Sequence, residues 1–201
     1  GLEVSSRGFG EVVFFLGVFG CANFLEPLFE SWHSHTVSDG PPGRAMAPAG
    51  KKTCTVLLVD VSRPSMVPHL GWVGDALSRV VQNRLMHAKA DEFALVTCGA
   101  RETKNDVHTE GLENAAMANE QDYEEEYLNI CVDVPMACAS SETASTAARL
   151  EDLAGEDAPA DYLDALTVAS DVLVRHERGG GFHRRVVFVT DLKTPCAIDA
   201  A

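Results

Sequence analysis

The sequence lacks the short motifs that cradle phosphate groups, activate a serine nucleophile or bind zinc. It has no G-x-x-x-x-G-K-[ST] loop, no G-x-G-x-x-G turn after its first strand-like run and no G-x-S-x-G elbow. None of its six cysteines pairs as C-x-x-C, the spacing typical of zinc sites and thioredoxin-like centres. We therefore predict no nucleotide cradle, no catalytic residue and no cysteine-pair zinc centre.

Basic residues are also scarce. The 201 residues include 16 Lys+Arg against 30 Asp+Glu, a formal net charge of −14, which excludes a strongly basic nucleic-acid surface for the chain as a whole. Residues 102–164 hold 17 acidic and two basic residues, so this segment carries −15 and the rest of the chain carries +1. We interpret the segment as a solvated region of the surface.

No apolar run is long enough to cross a membrane. Residues 12–25 form the longest apolar stretch near the N-terminus, and Asn23 interrupts it. The stretch is shorter than the roughly 18 residues that a membrane span needs. Arg7 is the one basic residue before this stretch, whereas a signal peptide begins with a positively charged region. We expect residues 1–50 to be an extension or disordered leader, with Met46 as the natural start, and residues 51–201 to form the folded domain.

The apolar patterns that are present predict an α/β fold. Thr53–Val59 and Phe93–Cys98 are continuous apolar runs typical of strands buried on both faces. Between them, apolar residues recur at spacings of three and four from Val67 to Leu85, which predicts a long amphipathic helix. A strand, a helix and a strand in this order imply a parallel sheet.

The rest of the chain adds weaker signals. Cys54, Cys98 and Cys131 fall within apolar runs, which favours buried thiols in a reducing compartment over disulfides. The remaining elements that we expect are a solvated loop at 101–126, an edge strand at Tyr127–Val134, a short helix at Ser141–Leu153, a helix beginning at Asp161, a turn at Gly179–Gly181 and a buried strand at Arg185–Thr190. His33 and His35 have a spacing that could suit metal ligands, but we interpret it as a coincidence.

Two of the predicted strands end in an acidic residue. Asp60 and Asp191 would lie at the carboxyl edge of a parallel sheet, where ligands bind in open α/β folds. With the hydroxyls of Ser62 and Ser65 they form an all-oxygen set of the kind that Mg²⁺ prefers. The alternative is that both carboxylates cap loops and helix starts.

Four stretches together resemble the amino-terminal von Willebrand A-like domain of the larger subunit of Ku. These are residues 54–61, 91–96, 160–172 and 189–192, of which 160–172 is the most specific. The resemblance covers residues 52–195. It implies a Rossmann-like open sheet with helices on both faces, which ends before its last two strands and so leaves Arg185–Thr190 as an unprotected edge.

The metal motif of A-type domains is only partly present. The family pattern is Asp-x-Ser-x-Ser with a later Thr and Asp; here Pro64 replaces the second Ser and Ala160 replaces the Thr. The larger Ku subunit has a similarly degenerate site. We therefore expect Asp60, Ser62, Ser65 and Asp191 to form a pocket without metal, and we expect no cofactor.

The resemblance also implies a function. Ku is a nuclear heterodimer that encircles DNA ends, initiates non-homologous end joining and acts at telomeres. Its DNA is held by a basic barrel domain absent from this chain. The expected partners are the smaller Ku subunit and end-joining repair factors, with no membrane and no enzymatic activity. The alternative is an A-type adhesion or scaffold domain that binds ligands through Mg²⁺.

Overall fold

The strand that begins at Thr53 lies in the interior of an open mixed β-sheet. In the computed structural model, backbone and side chains are described for residues 52–119, 125–156, 158, 161–176, 182–191 and 193, and the backbone alone for residues 3–4 and 11–16. Statements about the structure below refer to these residues.

The elements follow one another in a largely alternating order of strands and helices. The strands are β1 (Glu3–Val4), β2 (Glu11–Leu16), β3 (Thr53–Asp60), β4 (Glu92–Cys98), β5 (Ile130–Cys138) and β6 (His183–Thr190). The helices are α1 (Val67–His87), α2 (Asp106–Ala118), α3 (Ser141–Ala147), α4 (Leu150–Leu153) and α5 (Tyr162–Arg175).

The order of the strands across the sheet is β1-β2-β6-β3-β4-β5. Strand β3 pairs in parallel with β4 on one side and with β6 on the other. Strand β5 is antiparallel to β4, and β2 is parallel to β6. The carboxyl ends of β3 and β6 therefore meet at the same edge of the sheet.

Alternating side chains of β3 pack in two separate hydrophobic cores, one on each face of the sheet. Leu57 and Val59 pack on one face with the apolar stripe of α1 and with residues of α3 and α4. Val56 and Leu58 pack on the opposite face with α5. This two-sided burial explains the continuous apolar run of β3, and it confirms the predicted α/β class with an open sheet and helices on both faces.

Most elements lie where the sequence predicts them, and three differ. Residues 101–126 were expected to form a loop but include helix α2. The strand expected at Tyr127–Val134 begins at Ile130 and continues past Pro135. The single helix expected at Ser141–Leu153 is divided into α3 and α4.

The expectation that β6 forms an unprotected edge is wrong. Strand β2 pairs with β6 over six residues in parallel register, from Glu11 opposite Arg185 to Leu16 opposite Thr190. The sequence of β2, EVVFFL, is rich in the β-branched and aromatic residues that suit a strand. Both β1 and β2 come from the segment expected to be a leader; the division into residues 1–50 and 51–201 otherwise stays a prediction.

Several expectations fall outside the described residues. They concern Cys21, Cys196, His33, His35, Met46, Ala160 and the glycines 179–181. Within the described part, Cys54, Cys98 and Cys131 are buried and form no disulfide, as predicted, and Cys138 is exposed and also forms none. No helix among the described residues has the length and apolar character needed to cross a bilayer.

Candidate functional site

Asp60, the last residue of β3, is fully buried at the carboxyl edge of the sheet and accepts four hydrogen bonds. Its Oδ1 accepts from the backbone N–H of Ser62 at 2.9 Å and from the Ser62 hydroxyl at 2.5 Å. Its Oδ2 accepts from the hydroxyl of Tyr162 at 3.1 Å and from that of Thr190 at 2.8 Å. Such a set of donors compensates for the burial of a carboxylate.

Two of these donors, Tyr162 and Thr190, come from elements distant in the sequence. Tyr162 is the first residue of α5, which begins there because the Asp161 side chain accepts from the N–H groups of Leu163 and Asp164. The Tyr162 ring packs edge-on against Phe188, with centroids 5.6 Å apart, which holds the hydroxyl over the end of β3.

The sequence did not single out Tyr162 or Thr190 as members of the pocket. The available signal was that each is adjacent to an acidic residue, at a helix start and at a strand end respectively.

Asp191 follows β6 and has charged and polar partners of its own. Its Oδ1 accepts from the Ser65 hydroxyl at 3.3 Å and from the backbone N–H of Lys193 at 3.0 Å. Its Oδ2 is buried without a hydrogen bond, but the Lys193 ammonium lies 3.3 Å away as a counter-charge. The lysine side chain is 65 % exposed, so water screens this ion pair.

The predicted residues thus form two pairs, Asp60 with Ser62 and Ser65 with Asp191. The geometry does not fit the magnesium site of the A-type motif. Donors occupy the four acceptor positions of the Asp60 carboxylate that a metal would have to share. A lysine supplies positive charge beside Asp191, and Pro64 offers no oxygen ligand from its side chain. That the pocket binds no metal stays a prediction.

Gly99 at the end of β4 fixes the loop that presents Ser62 to Asp60. It adopts φ +73°, and a Cβ there would lie 2.7 Å from the Ser62 Cβ and 2.8 Å from its Cα. The Val61 N–H donates to the carbonyl of Cys98 at 2.9 Å, which ties the two strand ends together. The pocket therefore depends on a residue without a side chain at this position.

The acidic segment is partly structured. Arg175, the last residue of α5, donates to Glu110 of α2 from both terminal nitrogens, Nη1 and Nη2, and to Asp171 from its Nε at 2.5 Å. The hydrogen bonds and positive charge of Arg175 lower the pKa of Glu110. Beside them, a cleft of about 500 Å³ lies between α2, β5 and α5.

The chain resembles two curated proteins. It is 29 % identical over 149 residues to the "ATP-dependent DNA helicase 2 subunit KU80" of Oryza sativa subsp. japonica, an alignment covering 73 % of this chain and 19 % of the rice protein. It is 28 % identical over 126 residues to the "X-ray repair cross-complementing protein 5" of Dictyostelium discoideum, covering 61 % of this chain and 14 % of that protein. No family model matches the chain.

The chain spans less than a fifth of the length of these relatives. The similarity nevertheless extends over 149 and 126 residues of this chain, and the resemblance seen in the sequence motifs points to the same kind of protein. The chain is therefore similar to Ku80-type proteins over most of its own length.

Proposed function

We propose that this chain is the amino-terminal interaction domain of a Ku-type protein that acts on DNA ends. The observation that carries the proposal is the similarity to the two large-subunit relatives, which extends over 73 % and 61 % of the chain. The role is double-strand break repair by non-homologous end joining, with a further role in telomere maintenance, in the nucleus.

The charge of the chain supports a role in protein contacts rather than in gripping DNA. A net charge of −14 opposes binding to phosphates. We propose that a basic barrel domain outside this chain contacts the DNA, and that the smaller Ku subunit completes the ring that encircles the DNA end. End-joining repair factors are the partners proposed for the domain itself.

The proposed role is non-enzymatic. The rice relative is named as a helicase subunit, but this chain contains no phosphate-binding loop. The fully buried carboxylate of Asp60 is held by four donors rather than being open to a substrate. The Mg²⁺-dependent adhesion or scaffold function is disfavoured by the same four hydrogen bonds.

The test is an end-joining assay in cells of the source organism. Deleting the gene should reduce the joining of a cut chromosomal reporter and sensitise the cells to double-strand breaks, and the intact gene should restore both. Two matched rescue alleles are compared. One carries Gly99→Ala, which disturbs the Asp60 pocket, and the other carries Gly71→Ala at an exposed position of α1. The Gly71→Ala allele should rescue fully. Normal joining in the deletion strain would contradict the proposal.

A further inference from the structure

A second polar cluster lies at the opposite edge of the sheet from Asp60. Cys54 is the second residue of β3, and Glu92 is the first residue of β4, directly opposite it in the parallel register. His176 caps the C-terminus of α5 and reaches the same place. One ligand atom from each residue lies within 4.8 Å of the others, and this is the one such group of three among the residues that the structure describes.

Both contacts within the cluster converge on a single oxygen. The Cys54 thiol donates to Glu92 Oε2 at 3.5 Å, and the His176 Nε2 lies 2.6 Å from the same atom. The side chains of His176 and Glu92 are 20 % and 18 % exposed, and Cys54 is buried. A sulfur, a nitrogen and an oxygen atom thus face one another at one place.

We propose that Cys54, Glu92 and His176 form a binding site for a divalent cation of the zinc class. A thiolate, an imidazole and a carboxylate are the three ligand types that zinc takes from proteins. They come from three elements separated in sequence, so the fold, and no local motif, brings them together. This explains why a search for C-x-x-C and H-x-H spacings does not find the site.

The three ligand atoms lie near enough to one another, all within 4.8 Å, for a tetrahedral ion to bind between them after a small adjustment. With zinc bonds of about 2.3 Å to sulfur and about 2.0–2.1 Å to nitrogen and oxygen, ligand atoms are roughly 3.4–3.6 Å apart. The sulfur-to-oxygen separation of 3.5 Å already matches. The His176 to Glu92 separation of 2.6 Å must widen by about 0.8 Å, a movement open to a partly exposed side chain at a helix end.

Charge balance also favours a dication. Binding releases the thiol proton to solvent, and a neutral imidazole binds through Nε2 with its one ring proton on Nδ1, which leaves one thiolate and one carboxylate to neutralise the two positive charges. Burial and Glu92 raise the pKa of Cys54 to about 12, so the metal has to compete with a proton. Asp91 adds negative charge nearby, and Arg184, opposite Cys54 on the β6 side, opposes the cation.

The cluster is partly open to solvent, since the side chains of His176 and Glu92 are 20 % and 18 % exposed. His176 also lines the cleft of about 500 Å³ between α2, β5 and α5, so we expect water to supply the fourth ligand. A site with three protein ligands and one water is an open zinc site, of the type that can exchange its fourth ligand. The inference is independent of the proposed repair function.

The test uses the full chain under reducing conditions, with Zn²⁺ and Co²⁺ alone as the added metals. Equilibrium dialysis should show one equivalent of zinc bound, and cobalt should give a thiolate-to-metal charge-transfer band in the near ultraviolet. Cys54→Ser should abolish the band, and His176→Gln should weaken zinc binding at least tenfold. Cys131→Ser is the matched control, because Cys131 is also buried with a pKa raised to about 12 but belongs to no such group.

Three results would overturn the site. They are failure to bind one equivalent at tens of micromolar free zinc, a cobalt band that survives Cys54→Ser, and loss of the band in Cys131→Ser instead. Should Cys54→Ser not fold, His176→Gln decides alone, since its side chain is partly exposed at a helix end. Unchanged zinc affinity in that variant contradicts the proposal.

Discussion

The hydroxyl of Tyr162 donates a hydrogen bond of 3.1 Å to the carboxylate of Asp60, across 102 positions of the chain. The bond joins the start of α5 to the end of β3 at the edge where A-type domains hold a metal ion. A protein hydroxyl therefore occupies one of the acceptor positions that a metal or its water ligands would use. The pocket is a structural junction between two elements.

Replacing Tyr162 by Phe should destabilise the fold while leaving the ring contact with Phe188 in place. The substitution removes one of four donors to a buried carboxylate, so we expect a loss of about 1–3 kcal/mol in the free energy of unfolding. Urea denaturation measures it. The neighbouring Leu163→Ala, at a side chain 62 % exposed, is the control and should cost much less. Equal losses in the two variants would contradict the role assigned to the hydroxyl.

Magnesium should not bind the Asp60 pocket stoichiometrically. The four donors around Asp60 and the lysine beside Asp191 leave no free set of oxygen ligands. Isothermal calorimetry of the chain with millimolar Mg²⁺ should show no saturable heat. Micromolar binding that disappears in Asp60→Ala would instead support a Mg²⁺-dependent adhesion or scaffold domain.

Gly99→Ala and Gly71→Ala should change stability in opposite directions. At Gly99 the positive φ of 73° alone costs about 1–2 kcal/mol for a residue with a side chain. The contacts of 2.7–2.9 Å with Ser62 add to that cost. At Gly71, within α1, an added Cβ meets only the flexible end of Glu151 at 3.0 Å, and alanine favours a helix by about 1 kcal/mol. Thermal unfolding compares the pair, and a Gly99→Ala variant as stable as wild type would contradict the packing described.

Asp133 should make stability depend on pH in the acidic range. Burial raises the pKa of this carboxyl above its ordinary value of 3.8, although the hydrogen bond from Thr97 at 2.7 Å opposes the rise. The native state then retains the proton to a higher pH than the unfolded chain does. The stabilising contribution is complete below pH 3.8 and is lost as the pH rises through the raised pKa.

Asp133→Asn removes that titration and keeps an oxygen to accept from Thr97. Relative to wild type, the variant should gain stability as the pH rises from 3.8 and level off above the raised pKa. Denaturation series at several pH values measure the difference, with the exposed Asp152→Asn as a control. A difference that is constant with pH, or that falls as the pH rises, would refute the assignment.

The parts of the fold that bury apolar side chains were predictable from the sequence. The continuous apolar run of β3 and the apolar stripe of α1 are patterns typical of buried strands and of half-buried helices. Both elements begin at the residue expected. Helix α2 was missed because it buries only Ala115 among its residues, so its sequence reads as a polar loop. The available signal was Asn105, whose side chain accepts from the His108 N–H at 2.8 Å as an N-cap.

Contacts between distant elements were less predictable. Two of the four donors to Asp60, Tyr162 and Thr190, are set by how α5 and β6 pack. The pairing of β2 with β6 is likewise non-local, since EVVFFL predicts a strand but not its partner. The Cys54, Glu92 and His176 cluster depends on strand register and on where a helix ends. Local periodicity carries none of this information.

The most direct test of the central claim is affinity purification of the endogenous protein that contains this chain. We expect the smaller Ku subunit to co-purify with it, and we expect the complex to retain linear duplex DNA but not closed circular DNA of the same sequence. The isolated chain, at a net charge of −14, should bind neither. Purification without the smaller subunit, together with equal affinity for linear and circular DNA, would contradict it.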